Sequence, residues 1–123
     1  MDDNARREAG MTVRRRILGD SHVARAGAES TPLTHDFHDL ITRYAWGEIW
    51  SRPGLDERTR RVLVIGTLVA LGRWEEFRMH AAAALHEGGF TADDLKEIVL
   101  QQTIYCGVPA GHHAFHILSE VVG

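Results

Sequence analysis

One cysteine, Cys106, stands in a chain of 123 residues. Neither a disulfide framework nor a CxxC redox pair can be built within one chain from it. Long hydrophobic runs are also missing. The longest, Val62 to Leu71, is too short to span a bilayer, and Met1 to Gly10 lacks the apolar core of a secretory leader. These absences point to a cytoplasmic protein with no membrane partner. A clustered positive field is missing as well: the formal charge is −3, whereas a dedicated nucleic-acid binder needs concentrated basic side chains. The short run Arg14-Arg15-Arg16 reads as the solvated face of an N-terminal helix or as a subunit contact. No internal repeat, low-complexity tract or convincing period of two occurs, so the expected class is all-α.

What is present suits one soluble domain over residues 1–123, with 1–29 as a peripheral N-terminal helix and loop. The hydrophobic fraction of 44% and charged fraction of 25% are ordinary and exclude disorder across the whole chain. Asp2 to Gly19 is charged, with sparse apolar residues, and predicts an exposed or partner-packed helix followed by a loop to Glu29. Ser30-Thr31-Pro32 offers a helix start. Leu33, Phe37, Leu40, Ile41, Tyr44 and Ala45 then recur at helical spacing. Arg52-Pro53-Gly54 breaks that helix and Asp56 can cap the next, whose stretch Val62 to Leu71 is apolar nearly all round and predicts the central helix of the core. A third helix runs from Arg73 to about Glu87 and stops at Gly88-Gly89. Thr91 with Asp94 forms a capping-box pattern, and Leu95, Ile98, Val99, Gln102 and Tyr105 make the stripe that follows. Gly107-Val108-Pro109 turns the chain into a last helix, with Ala110, Ala114, Ile117, Leu118 and Val121 inward. About six helices result.

Within LGRWEEFRMH (71–80), an advance of 100° per residue gathers Trp74 and Phe77 with Ala81, Ala84 and Leu85 on one face. Glu75 lies nearly opposite and reads as a solvated charge. Arg73, Glu76 and His80 share a stripe along the edge of the apolar face, and Glu76 and His80, four apart, can touch. A carboxylate beside an imidazole stabilises the imidazolium, as a proton donor near neutral pH requires. The same spacing also suits an exposed helical ion pair of no catalytic consequence.

Eight histidines are present. His112 and His116 are four apart, while His35 and His38, like His113 and His116, are three apart. Such pairs can share a metal, but no third ligand with local spacing completes a set, so no metal site is expected. They also read as surface or interface histidines.

Three stretches, ITRYAWGEIWSRPGL (41–55), LGRWEEFRMH (71–80) and YCGVP (105–109), together with RRRILGDSHVARA (14–26), closely resemble the carboxymuconolactone decarboxylase family, which includes alkylhydroperoxidase D-like proteins. The resemblance runs from about residue 8 to the end. It implies an alkylhydroperoxidase D-like helical domain that forms homo-oligomers, hexameric rings or trimers of dimers. The peroxidase branch carries a CxxC followed by a histidine; Arg73 and Glu76 stand at the cysteine positions and His80 at the histidine, so thiol peroxidase chemistry is absent here.

The resemblance implies conversion of 4-carboxymuconolactone to 3-oxoadipate enol-lactone and CO2, in the protocatechuate branch of the β-ketoadipate pathway. The substrate is a dicarboxylate lactone that supplies its own electron sink, so no cofactor is expected. On this reading His80 donates the proton or partners the oxyanion, and Glu76 orients and charges it. Arg60 and Arg73, and less directly Arg52, hold the spectator carboxylate and lactone through guanidinium forks. Trp46, Glu48 and Tyr105 fall in the matched stretches and line the pocket, or else pack or cap its wall. Two departures from the family pattern are Gly111-His112-His113 after the proline, where small residues and an asparagine are usual, and Phe77, where leucine is usual. Two other readings stand beside this one: a decarboxylase or isomerase of another small lactone or β-keto acid, and a non-enzymatic helical oligomer that binds a small acid or metal.

Overall fold

The computed structural model describes residues 2–123. Seven α-helices and one π-helical segment account for the secondary structure of the described residues, and there is no strand among them. The helices are α1 (Asp3–Leu18), α2 (Asp20–Ala28), α3 (His35–Ile41), α4 (Glu57–Leu71), α5 (Trp74–His86), α6 (Ala92–Cys106) and α7 (Val108–Val122); the π-helical segment, Thr42–Trp50, continues α3. The all-α expectation holds with more elements than the six expected. The chain divides after Asp56 into two compact units.

In the N-terminal unit, Asp2 caps α1 by accepting a hydrogen bond from the Ala5 amide at 2.7 Å. Val13, Arg14, Ile17 and Leu18 are buried on its inner side, and α1 packs along the π-helical segment. That approach depends on two glycines. A Cβ on Gly10 would collide with the Thr42 carbonyl oxygen and lie 2.9 Å from the Gly47 nitrogen, and one on Gly47 would collide with the Arg6 carbonyl oxygen. Charge then ties the elements together. Asp39 accepts from Arg7 Nε at 2.7 Å and Arg43 Nε at 2.8 Å, and Arg6 donates to Glu48 at 3.2 Å.

Three expectations are corrected here. Residues 20–28 form α2 rather than a loop; with Val23 its one buried residue, the helix carries too little apolar signal to show a period. Leu33, Phe37, Leu40 and Tyr44 are 91, 60, 48 and 42% exposed rather than inward. Leu33 lies in the turn before α3, and from Thr42 onward the wider π-helical turn breaks the α-helical wheel, burying Thr42, Trp46 and Gly47 instead. Within Arg14-Arg15-Arg16, the second and third arginines are exposed, but Arg14 is buried.

The C-terminal unit holds one apolar core, built from Ile65 and Val69 of α4, Phe77, Ala81 and Ala84 of α5, Phe90 before α6, Leu95 and Val99 of α6, and Ala114, Ile117 and Leu118 of α7. The capping box is realised in full: Asp94 N donates to Thr91 Oγ1 at 3.1 Å and Thr91 N to Asp94 Oδ2 at 2.8 Å. Gly107, with φ +102°, makes the sharp turn into α7, a backbone region that favours glycine. Helix α4 is not apolar-buried all round. Val62, Leu63 and Leu71 are 38, 55 and 63% exposed, whereas Arg61 is buried; α4 packs with α5, α6 and α7, and its buried residues are Arg61, Ile65, Gly66 and Val69. Tyr105, expected in the α6 stripe, is 77% exposed; the stripe leaves the core at the last turn.

Two outcomes test this architecture. Gly10→Ala should destabilise the protein by about 1–3 kcal/mol or more, as overpacking does, while Gly27→Ala, whose new Cβ meets nothing within 4 Å, should be neutral or stabilising by up to about 1 kcal/mol; chemical denaturation compares them. Acid unfolding tests the arginine clasp. Hydrogen bonds from Arg7 first, then Arg43, hold the Asp39 carboxyl down at about 2 against an ordinary 3.8. A depressed folded value gives stability that is present above 3.8 and is lost as pH falls towards 2. The stability gap between wild type and Asp39→Asn should therefore shrink over that window, and a constant gap would contradict the clasp.

Candidate active site

Helix α5 positions the candidate acid/base residues. Its packing face is fixed by Phe77, Ala81 and Ala84, all at 0% exposure; full burial of a phenylalanine alone is worth about 1.5–3 kcal/mol. The two alanines let the neighbouring helices come close. His80 lies between these positions on the helix and is drawn in to 9% exposure, whereas Glu76, one turn earlier, is exposed. Burial thus separates the two members of the proposed pair. Glu75 is exposed as expected. Arg73 sits at the cap position before α5, with φ −89° and ψ 77°, and is exposed, so it leads into the stripe from outside the helix. Arg60 lies on α4 and is half-buried.

The entrance of α5 is braced by aromatic contacts. Trp74 meets Phe77 edge-on, with centroids 5.8 Å apart and planes at 83°, a favoured aromatic geometry. On its other contact it stacks on His113 of α7, at 4.3 Å and 10°. His113 belongs to one of the two departures from the family pattern, and Phe77 is the other, so both changes meet at Trp74. A cleft of about 380 Å³ opens beside Pro109, His112, His113 and His116. His116 also lies 3.3 Å from Glu120. Among the described residues no group of three or more His, Cys, Asp or Glu side chains is arranged to hold a metal ion.

A larger apolar groove of about 570 Å³ runs between α4 and α6, lined by Val62, Leu63, Gly66, Thr67, Ala70 and Leu71 facing Glu97, Ile98, Gln101 and Gln102. Gln102 bridges its floor by donating to the Gly66 carbonyl at 3.0 Å. None of the candidate residues lines it. Tyr105 lies near the end of α6, outside the groove. The remaining candidates belong to the N-terminal unit. There Trp46 is buried, its ring 5.0 Å from Trp50; Glu48 is engaged by Arg6; and Arg52 is exposed in the turn after the π-helical segment. Packing accounts for Trp46 and an intra-unit ion pair for Glu48.

Sequence reasoning missed the Trp74–His113 stack, which joins residues far apart in the chain and leaves no local signal. It also missed Arg14, although positions 10, 13, 14, 17 and 18 recur at helical spacing and mark that arginine as inward.

An all-helical chain whose fifth α-helix carries a buried histidine one turn after an exposed glutamate matches a known class. The chain belongs to the carboxymuconolactone decarboxylase family, whose profile residues 35–120 match. Its relatives sharpen this. It is 44% identical, over 98% of this chain and 90% of the relative, to 4-carboxymuconolactone decarboxylase of Acinetobacter baylyi. It is also 34% identical, over 94% of this chain and 80% of the relative, to nitrosuccinic acid decarboxylase of Metarhizium robertsii. A 4-carboxymuconolactone decarboxylase of Pseudomonas putida is 44% identical over 39% of this chain and its own full length.

The packing that holds His80 in place can be checked directly. Phe77→Ala should cost about 3–5 kcal/mol in denaturant unfolding, since it removes a fully buried ring, and should alter Trp74 emission by removing its edge contact. A loss below about 1 kcal/mol would show that Phe77 does not anchor the helix.

Proposed function

We propose that the protein is a carboxy-lyase that converts 4-carboxymuconolactone to 3-oxoadipate enol-lactone and CO2 without a cofactor. The observation that carries this reading is the 44% identity, over nearly the whole of both chains, with a 4-carboxymuconolactone decarboxylase. In the reaction the bond between the ring carbon and the carboxylate breaks. Its electron pair runs through the ring double bond into the lactone carbonyl, giving a dienolate, and a proton is then delivered to ring carbon. The protein's task is to bind a dianion, stabilise the oxyanion and supply that proton.

His80 is the proton donor or oxyanion partner and Glu76 orients and charges it. Support comes from their sharing one edge of α5, with the imidazole withdrawn from bulk water and the carboxylate at the surface. A withdrawn imidazole loses less of its field to solvent screening than an exposed one. Arg60 and Arg73 hold the spectator carboxylate and lactone. Trp46, Glu48 and Tyr105 take no part in this reading, since Trp46 packs on Trp50, Glu48 pairs with Arg6 and Tyr105 is exposed. The assembly is a homo-oligomer, a hexamer or a trimer of dimers, working in the cytoplasm in protocatechuate catabolism. In support of a water-soluble setting, no helix among the described residues is long and apolar enough to cross a membrane.

A second reading is favoured by the relative that decarboxylates nitrosuccinic acid. Nitrosuccinic acid is also a small dicarboxylic acid, and its nitro group can take up the electron pair that the departing CO2 leaves behind. The scaffold would then serve small dicarboxylates that carry their own electron sink, with pocket shape choosing among them.

Purified protein given 4-carboxymuconolactone should release CO2 stoichiometrically with enol-lactone. Glu76→Gln and His80→Ala should each lower kcat by about a hundredfold or more, as loss of a general acid does. Full activity in both variants would remove the residue assignment. Turnover of nitrosuccinate in preference to 4-carboxymuconolactone would replace the first substrate by the second.

A further inference from the structure

Arg14 is a cation in an unusual position. Its residue is 8% exposed, and its Nε, fully buried, meets no acceptor among the described residues. Burial of a guanidinium is unfavourable unless an anion or a set of acceptors replaces the water it loses, and a buried unsatisfied donor in a native protein calls for an explanation. Arginine in a helix interior can usually extend its head to solvent along its stem; here Val13, Ile17 and Leu18 on the same face are buried with it.

Arg14 also lines a cavity of about 180 Å³ within the N-terminal unit. The walls combine two characters. Met11, Val23 and Ala26 supply an apolar side, and Ser30, His35 and His38 a polar one. Arg7 and Asp39 reach the cavity too, but Asp39 is already held by Arg7 and Arg43, so its charge is spent on them. The cation left without a counter-charge is Arg14. A second sign of its field is felt by His22, whose proton affinity is lowered by burial first and by Arg14 next. A cavity of this size takes a carboxylate head with a short aliphatic stem.

We propose that this cavity is a carboxylate-binding site in which the Arg14 guanidinium receives the anion and Met11, Val23 and Ala26 cover its stem. A carboxylate matches the guanidinium fork and would satisfy Nε and one terminal nitrogen together. The anion has two sources: a free small carboxylic acid, or an aspartate or glutamate side chain of a second copy of this chain. The site lies wholly within the N-terminal unit and owes nothing to the α5 assignment, so it stands or falls independently of the decarboxylase reading.

The test titrates the intact 15N-labelled protein with succinate while following the Arg14 Nε–Hε resonance, and measures assembly over a dilution series by sedimentation. A saturable shift of that resonance in the wild type, with succinate binding by calorimetry abolished in Arg14→Met and weakened about tenfold in Arg14→Lys, which keeps the charge without the fork, assigns the site to a free carboxylate. A resonance indifferent to succinate that moves on dilution, with assembly weakened more than tenfold in Arg14→Met, assigns it to a second copy. If the resonance answers to neither, the proposal is overturned. It is equally overturned if Arg14→Met binds succinate and assembles as wild type does. Methionine matches the arginine stem in size; should that variant fail to fold, the wild-type resonance and Arg14→Lys decide the question.

Discussion

The burial of Phe77, Ala81 and Ala84 on α5 is the constraint from which the candidate site follows. These residues close the core of the C-terminal unit against α4, α6 and α7, and once they are inward the rotation of the helix is fixed. His80, adjacent to Ala81, is carried to the border of the core, and Glu76, adjacent to Phe77 on the outer side, is left in water. The candidate pair is thus positioned by the apolar packing of α5. The fold has already ordered the His80 imidazole, so its conformational entropy is spent in folding.

The N-terminal unit is built on different terms. Its apolar stripe is thin, and close backbone approach through Gly10 and Gly47 is combined with a web of ion pairs in which Asp3 and Asp39 each serve two arginines. Arg6 and Arg43 also lie over the Tyr44 ring at 5.5 and 5.3 Å. Exposed pairs singly contribute little, but shared partners that join α1 to α3 and the π-helical segment fix their mutual register. Against that background an arginine buried in the same unit without a carboxylate stands out.

The elements legible in the sequence were those with strong local chemistry. Thr91 and Asp94 announced the start of α6, Gly88-Gly89 the end of α5, and Pro109 the first turn of α7. The inner face of α5 followed from spacing alone. Legibility failed where the local signal was weak or the wheel did not apply: α2 has a single buried apolar residue, and the π-helical turn from Thr42 shifted the buried face from Tyr44 to Trp46. It failed again at Val62, Leu63 and Tyr105, since apolar periodicity marks a face that can be covered without saying whether the chain itself covers it.

The sequence by itself determined the helical class and the placing of Glu76 and His80 one turn apart on one helix, because these depend on residue spacing over a few turns. Only the tertiary structure decided how deeply each was buried, that Trp74 stacks on His113, and that Arg14 of a seemingly solvated arginine run faces a cavity. Burial and stacking depend on which elements meet across the chain, and no local period carries that information.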